Sequence, residues 1–187
     1  MTAPATFDLA PRLSSDVLEL RPLAPGDRDA LHAAASDPET WAGHPARDRW
    51  ERGSFDPYFD FLLAAGGTLV AIDRASGRII GASRYYVPPD RPDSIAIGFT
   101  FLDRAFWGGR TNLELKRLML GHAFADFPEV WFHIDPTNLR SQVATSRLGA
   151  VHAETKDLDI SGKPAPWMCF RLDRTAWERV LAERAAP

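Results

Sequence analysis

The sequence predicts a mixed α/β fold, with strands and helices in an order that a doubly wound parallel sheet does not have. Two strand-like runs flank the turn sequence RASG, so the stretch 68–87 indicates an antiparallel hairpin. After it, strand patterns at 94–102 and 129–135 alternate with helical patterns at 111–126 and 136–150. A hairpin followed by a strand–helix–strand–helix unit is typical of a mixed sheet.

One strand and two helices precede the hairpin. The run DVLELRPL alternates and predicts a strand at 16–23. A helix is predicted over 24–41, since Pro-Gly-Asp opens it and Asp-Pro closes it. The polar stretch 43–56 is predicted to be irregular. A second helix, 57–67, is predicted to begin at a proline, which suits the first helical position, and to end at a glycine pair.

Turn and cap residues delimit the elements after the hairpin. Asn138 is a predicted N-cap of the helix in 136–150, and Gly149 its C-terminal stop. Strands at 151–160 and 167–172 flank the turn sequence SGKPAP, and a helix at 173–185 closes the chain. The sequence thus predicts about seven strands and about five helices, without internal repeats.

Composition indicates a single globular domain over 16–187, after a Pro/Ala-rich segment, 1–15, that is expected to be loose. The net charge of −3 argues against nucleic-acid or anionic-membrane partners. No apolar run approaches the length of a membrane span, and the first residues lack a signal-peptide layout. Cys169, the single cysteine, lies in an apolar run and is predicted to be buried and inert. No disulfide framework or metal site is expected, and the cytoplasm is the expected location.

The stretch AFWGGRTNLELKRLML, residues 105–120, joins a strand to a helix through two glycines, Gly108 and Gly109. The first N–H groups of a helix lack intrahelical partners, and glycine lets a backbone approach a ligand closely. A diphosphate would therefore dock on the amides around 108–112. An ordinary tight turn is the alternative, because the motifs GxGxxG and GxxxxGK[ST] are both missing.

Lys116 interrupts the apolar face of the helix that follows these glycines. We expect its stem to lie over apolar surface with its ammonium group in solvent. The alternative is a cation placed one turn inside a phosphate cradle.

Five segments in the right order resemble the GNAT superfamily of acyl-CoA-dependent N-acyltransferases, and within it the branch that acetylates ribosomal-protein N-termini. LRPLAPGDRDAL resembles the opening strand and helix of that branch, and IIGASRYY a hairpin strand. IAIGFTFLDRAFWGGRTNLELKRLML resembles the acyl-CoA-binding strand, loop and helix, HIDPTNLRSQVATSRLGA the next strand and helix, and CFRLDRTAW the closing pair. The resemblance extends from about residue 17 to residue 179.

The resemblance implies a GNAT fold, with a mostly antiparallel twisted sheet and a splayed central strand pair. It also implies an enzyme in which a primary amine, on a protein N-terminus or a small molecule, attacks the thioester of acetyl-CoA directly. Pantetheine would enter the splayed pair and bond the backbone of Thr100 and Leu102. Ser141 would serve the leaving thiol, and Asn138 would contact pantetheine. Helix capping by Asn138 and Ser141 is the alternative, and both roles are compatible.

The family loop departs from its usual pattern in this sequence. The two positions that the family fills with Gly or Ala hold Arg110 and Asn112 here, while Gly108 and Gly109 stand earlier. Arg110 would either contact the pyrophosphate or crowd the loop. The departure supports an alternative function, a catalytically silent GNAT-fold protein that binds CoA or a protein partner.

His133 is the candidate general base, because it shares one face of its strand with Asp135 and has a suitable ordinary pKa. A hydrogen-bonded core histidine is the alternative.

The region 40–60 combines aromatic and basic residues and is expected to form a wall of the acceptor site, suited to a peptide or a small amine with a carboxylate. The sequence does not decide whether the chain forms a homodimer. The predicted cofactor-binding residues are Thr100, Phe101, Leu102, Trp107, Gly108, Gly109, Arg110, Thr111, Asn112, Leu113, Asn138 and Ser141.

Overall fold

A computed structural model of the chain describes residues 7–185 of the 187. Within this range, eight strands form one sheet, and five α-helices and three short 3₁₀ turns accompany it. The strands are β1 (Leu13–Ser14), β2 (Leu18–Pro22), β3 (Thr68–Asp73), β4 (Ile79–Tyr86), β5 (Ile95–Leu102), β6 (Glu129–Ile134), β7 (Val151–Asp159) and β8 (Pro164–Asp173). The helices are α1 (Arg28–Ala35), α2 (Arg52–Ala65), α3 (Thr111–Asp126), α4 (Leu139–Ser146) and α5 (Arg174–Ala185).

The strand order is β1-β2-β3-β4-β5-β6-β8-β7. Antiparallel ladders join β1 to β2, β2 to β3, β3 to β4, β6 to β8 and β7 to β8. The β5–β6 pair is parallel, and its register joins Ile95 to Val130 and Ala96 to Trp131. The predicted mixed, mostly antiparallel sheet is therefore confirmed.

The chain forms two compact units. The first unit comprises 8–85 and 97–121. Its core is an aromatic and aliphatic cluster on α1, α2 and the strands beneath them, in which Leu31, Phe55 and Phe59 are fully buried. The second unit, within the described residues, comprises Phe7, 86–96 and 122–185. Its core includes the inward residues of β6 and β8. The single domain predicted over 16–187 stays a prediction.

The structure has one strand more than the seven predicted. This additional strand, β1, falls in the segment that is expected to be loose. Residues 1–6 of that segment lie outside the described residues. Phe7 is buried and packs edge-on against Phe127, while Leu13 and Ser14 pair with Leu20 and Glu19 of β2. A two-residue strand is too short to produce a periodic pattern, so the sequence does not predict it.

Helix α2 begins at Arg52, five residues before its predicted start, and Pro57 lies inside it. Proline removes the N–H that would bond the carbonyl of Gly53, and Gly53 is exposed, so water can satisfy that carbonyl. Helical spacing buries Phe55, Tyr58, Phe59 and Leu62 against the core of the first unit. The free energy of this packing offsets the cost of a proline inside the helix. The sequence predicted a helix start at Pro57 because proline suits the first helical position.

The other elements lie close to their predicted positions. Strand β3 and helix α3 have the predicted bounds, whereas the helix predicted over 24–41 is shorter and is flanked by 3₁₀ turns at Pro25–Asp27 and Pro38–Thr40. Across residues 7–185, every helix is too short or too polar to cross a membrane.

Candidate functional site

The loop after β5 leads to α3 through a short, hydrogen-bonded turn. Trp107 donates from its indole Nε1 to the carbonyl of Leu102, at 3.0 Å, and from its backbone N–H to Arg104, also at 3.0 Å. The carbonyl of Arg110 accepts the N–H of Glu114 at 2.9 Å, so Arg110 is the residue from which the helix starts. Helix geometry leaves the N–H groups of 111–113 without intrahelical partners. An open helix N-terminus therefore stands at the end of β5, as the sequence predicted.

Gly108 has a φ of +72° and needs the conformational freedom of glycine. A Cβ added there would meet nothing within 4 Å, so the backbone dihedral, and not crowding, excludes other residues. Gly109 is exposed and open as well, but its φ is not positive. Of the two glycines, Gly108 therefore supplies the positive φ, and the close approach of a ligand to Gly108 and Gly109 stays a prediction.

Arg110 and Thr111 border a small cleft of about 160 Å³, which Leu18, Asp73 and Ile80 also line. Arg110 is exposed and Thr111 half-buried. The guanidinium group therefore lies at the surface near the start of α3, and its contact with a phosphate stays a prediction. Of the other predicted cofactor-binding residues, Phe101 and Leu102 are buried, and Thr100, Asn112 and Leu113 are half-buried.

Lys116 is buried, contrary to the expectation that its ammonium group lies in solvent. Only 7% of the residue is exposed, and its Nζ donates to Oγ1 of Thr100 at 2.8 Å. Oγ1 of Thr100 lies 2.7 Å from Oγ of Ser83, which is itself buried. Burial lowers the pKa of Lys116 from 10.5 to about 7. The expectation was wrong because Thr100, which accepts from Lys116, and Ser83, which contacts Thr100, lie on two strands that sequence spacing does not connect with this helix.

Strand β5 has an unusual backbone conformation at Phe99, whose φ is +53° although it is not a glycine. Such a residue is uncommon and costs conformational energy, so the surroundings must hold it in place. The hydroxyl of Tyr58 donates to the carbonyl of Phe99 at 3.5 Å, and the guanidinium carbon of Arg84 lies 5.3 Å from its ring centroid. No pattern in the sequence indicates this conformation, because phenylalanine rarely adopts positive φ.

In the second unit, Asn138 caps α4. Its side chain accepts the N–H of Ser141 at 3.2 Å, and the residue is buried. The capping role predicted for Asn138 is confirmed. Ser141 is half-buried and contributes its backbone N–H to the cap, so its hydroxyl is not part of that bond. The roles of both residues toward CoA stay predictions.

His133 lies on β6 and is hydrogen-bonded, as its core alternative predicted. Its Nδ1 lies 2.8 Å from the hydroxyl of Tyr86, a partner that the sequence analysis missed. Its Nε2 is buried and finds no hydrogen-bond partner among the described residues. Burial lowers the pKa of His133 from 6.5 to about 4, so the ring is neutral at neutral pH.

Among the described residues, no hydrogen bond or ion pair links Asp135 to His133. Its carboxylate accepts the N–H and the hydroxyl of Thr137, at 2.8 and 2.6 Å, and so stabilises the turn before α4.

An ion-pair cluster of Asp90, Arg91, Glu154 and Lys156 lies on the second unit, with Arg91 over the Trp131 ring at 4.1 Å. Cys169, the cross-strand neighbour of His133, is a buried free thiol whose pKa is raised by burial, in line with the predicted inert role.

Solved acetyltransferases share this fold. A GCN5-related N-acetyltransferase from Brucella melitensis is 21% identical, with a TM-score of 0.73 over 95% of this chain and 86% of that one. RimJ of Mycobacterium smegmatis, solved in complex with CoA-disulfide, is 17% identical, with a TM-score of 0.64 over 94% of each chain. The aminoglycoside acetyltransferase AAC(6')-Ib, solved with coenzyme A and kanamycin, is 17% identical, with a TM-score of 0.60 over 87% and 98%. At these identities the likeness concerns the fold.

The family follows from the sequence itself. The family model described as "Acetyltransferase (GNAT) domain" matches residues 18–151, and the chain belongs to this family. The resemblance seen in the sequence is therefore confirmed at the level of the family. A search of curated proteins gives no significant match.

Proposed function

We propose that the protein transfers an acetyl group from acetyl-CoA to a primary amine by direct attack of the amine. The observation that carries this proposal is the open N-terminus of α3, reached from β5 through the left-handed turn at Gly108. Membership of the GNAT family supports it independently. Acetyl-CoA supplies an activated acetyl thioester.

The residues at the start of α3 suit a diphosphate. The amides of 108–113 and the partial positive charge of the helix end favour an anion, and no side chain fills the space beside Gly108. Trp107 immediately precedes these residues, Asn112 is one of them, and the exposed Arg110 adds a positive charge. The backbone of Thr100 and Leu102, on β5, would hold the pantetheine amides. Alignment of the two reactants is the largest contribution such a site makes to the rate.

Two further residues would handle protons. The Ser141 hydroxyl, which the Asn138 cap leaves unused, would donate to the leaving thiolate. His133 would accept a proton at Nε2 when its Nδ1–H donates to the Tyr86 hydroxyl. Because burial holds the pKa of His133 near 4, this base is weak at neutral pH. An amine that arrives already deprotonated reacts without it, so the rate should rise with pH as the acceptor loses its proton.

The acceptor is either a protein N-terminus, as in the branch that the sequence resembles, or a small-molecule amine. A second candidate function is a catalytically silent protein that binds CoA or another protein. The observation that favours it is the pair Arg110 and Asn112, which occupy positions that the family fills with Gly or Ala.

Two measurements separate these functions. Thermal unfolding with millimolar acetyl-CoA should show a raised midpoint, because a ligand that binds the folded state alone stabilises it. Release of free CoA thiol in the presence of peptide and small-molecule amines then tests transfer. Binding without thiol release, across the whole amine panel, would favour the silent protein, and an unchanged midpoint at saturating ligand would refute acetyl-CoA binding.

A further inference from the structure

Arg49, in the loop between α1 and α2, lies over two buried aromatic rings. Its guanidinium carbon is 3.8 Å from the ring centroid of Tyr58 and 5.6 Å from that of Trp41. The two rings are nearly perpendicular, with centroids 6.4 Å apart, and they form a corner beneath the cation. Arg49 is half-buried, so the rings hold its guanidinium group in one place.

The N–H donors of Arg49 are not used by the described part of the chain. Within residues 7–185, no carboxylate forms an ion pair with Arg49 and no acceptor takes a hydrogen bond from it. Its neighbours differ, since Arg28 pairs with Asp56 and Asp60, and Arg52 with Asp29 and Asp56.

The carboxylate adjacent in sequence to Arg49 is already engaged. Asp48 accepts the hydroxyl of Ser54 at 2.6 Å. A guanidinium group stacked on a ring keeps its edge, with its paired N–H donors, available to a planar anion. A carboxylate has the shape and the charge to bind that edge bidentately.

The corner also borders the strand that would hold pantetheine. The Tyr58 hydroxyl donates to the carbonyl of Phe99, at 3.5 Å, and the ring of Trp41 packs on Phe101 with centroids 5.2 Å apart. Phe99 and Phe101 flank Thr100 on β5. All of these residues belong to the first unit, and Tyr58 and Trp41 contact both Arg49 and this stretch of β5.

We propose that Arg49 binds a carboxylate of the acceptor, so that the substrates are primary amines that also carry a carboxylate. The inference rests on the proposed function, because that function defines the acceptor. The aromatic corner positions the cation, and its free N–H edge selects the anion. An acceptor of the same size with an amide in place of the carboxylate would lose the charge-assisted contact.

The experiment compares matched acceptors that differ in this one group. One arm uses short peptides with a free N-terminus, a blocked C-terminus, and Asp or Asn at the second, third or fourth position. The other arm uses linear amino acids of two to six carbons and their amides, and so distinguishes a peptide carboxylate from that of a small molecule. CoA thiol release gives kcat/KM for each pair in the wild type, Arg49→Gln, Arg49→Lys and the control Arg179→Gln, which changes an exposed arginine of α5.

We expect the wild type to favour the carboxylate member of at least one pair by about 10- to 100-fold in kcat/KM. Arg49→Gln should abolish this preference and leave kcat/KM for the amide member within about twofold. Arg49→Lys should keep part of the preference, since charge remains and bidentate geometry is lost. Arg179→Gln should keep all of it. Equal loss of both members in Arg49→Gln, or a wild type without preference, would overturn the inference.

A binding measurement keeps this test separate from that of the proposed function. Calorimetric titration of the same peptides and amino acids into the wild type and Arg49→Gln needs no turnover. If no amine is acetylated, the proposed function fails, while carboxylate-selective binding that Arg49→Gln abolishes still supports the inference. Binding without carboxylate selectivity overturns it.

Discussion

Replacing Lys116 with methionine should stabilise the protein near neutral pH and change how its stability depends on pH. The ammonium group is buried and donates to Thr100, and burial lowers the pKa of Lys116 from 10.5 to about 7. Methionine has a similar length, carries no charge and adapts to irregular surroundings. Thr100 keeps Ser83 as a hydrogen-bond partner in the variant.

The sign follows from proton binding by the two states. Below pH 7 the lysine is protonated in both the folded and the unfolded chain, and the full unfavourable effect of its burial is present. Between pH 7 and pH 10.5 the unfolded chain holds a proton that the folded chain has lost, so the stability of the wild type rises with pH. The slope is about 1.4 kcal/mol per pH unit, which amounts to about 2.5 kcal/mol between pH 7.5 and pH 9.5.

Urea unfolding at pH 7.5 and 9.5 tests this reasoning, with the free energy of unfolding compared between the wild type and Lys116→Met. At pH 7.5 the variant should have the larger free energy of unfolding. Its difference from the wild type should be smaller by about 2.5 kcal/mol at pH 9.5. Lys163→Met, which changes an exposed lysine, is the matched control and should follow the wild type at both values. A difference between the wild type and Lys116→Met that does not vary with pH would refute the buried, low-pKa lysine.

Three further substitutions and one control substitution test the candidate site. Gly108→Val should weaken acetyl-CoA binding by about tenfold or more, because a β-branched residue does not tolerate a φ of +72°, whereas Gly109→Ala should bind normally; calorimetry measures both, and normal binding by Gly108→Val would make the glycines an ordinary turn. Ser141→Ala should lower kcat by about 100-fold if its hydroxyl serves the thiolate, with the CoA dissociation constant and the melting temperature nearly unchanged, since the cap uses its backbone N–H; steady-state kinetics with full turnover in the variant would leave Ser141 no catalytic role. Asn138→Ala should reduce the free energy of unfolding by about 1 kcal/mol in urea titrations, because α4 loses its cap, and an unchanged stability would show that the cap contributes nothing.

Local signals in the sequence predicted most of the elements. Strand β3 and helix α3 were predicted with their observed bounds, because Gly-Gly and RASG delimit the one and the glycine loop opens the other. Signals that compete locally were less reliable, as Pro57 shows: it marks a helix start in sequence but lies inside α2.

The electrostatics of the candidate site could not be predicted in the same way. Lys116 meets Thr100 from 16 residues away, and His133 meets Tyr86 from 47 residues away. Burial and partner choice at these positions depend on tertiary packing, which leaves no periodic trace in the sequence. The cap at Asn138 was predictable because its partner lies three residues away.

The buried thiol of Cys169 can be used to detect unfolding of the strand that contains it. It is the single cysteine in the sequence and lies in β8, out of contact with solvent. A thiol-reactive dye that follows CoA release would therefore find no reactive protein sulfur while β8 stays closed. One equivalent per chain would appear when that strand opens, so the labelling rate in the absence of substrate measures the opening free energy of the second unit.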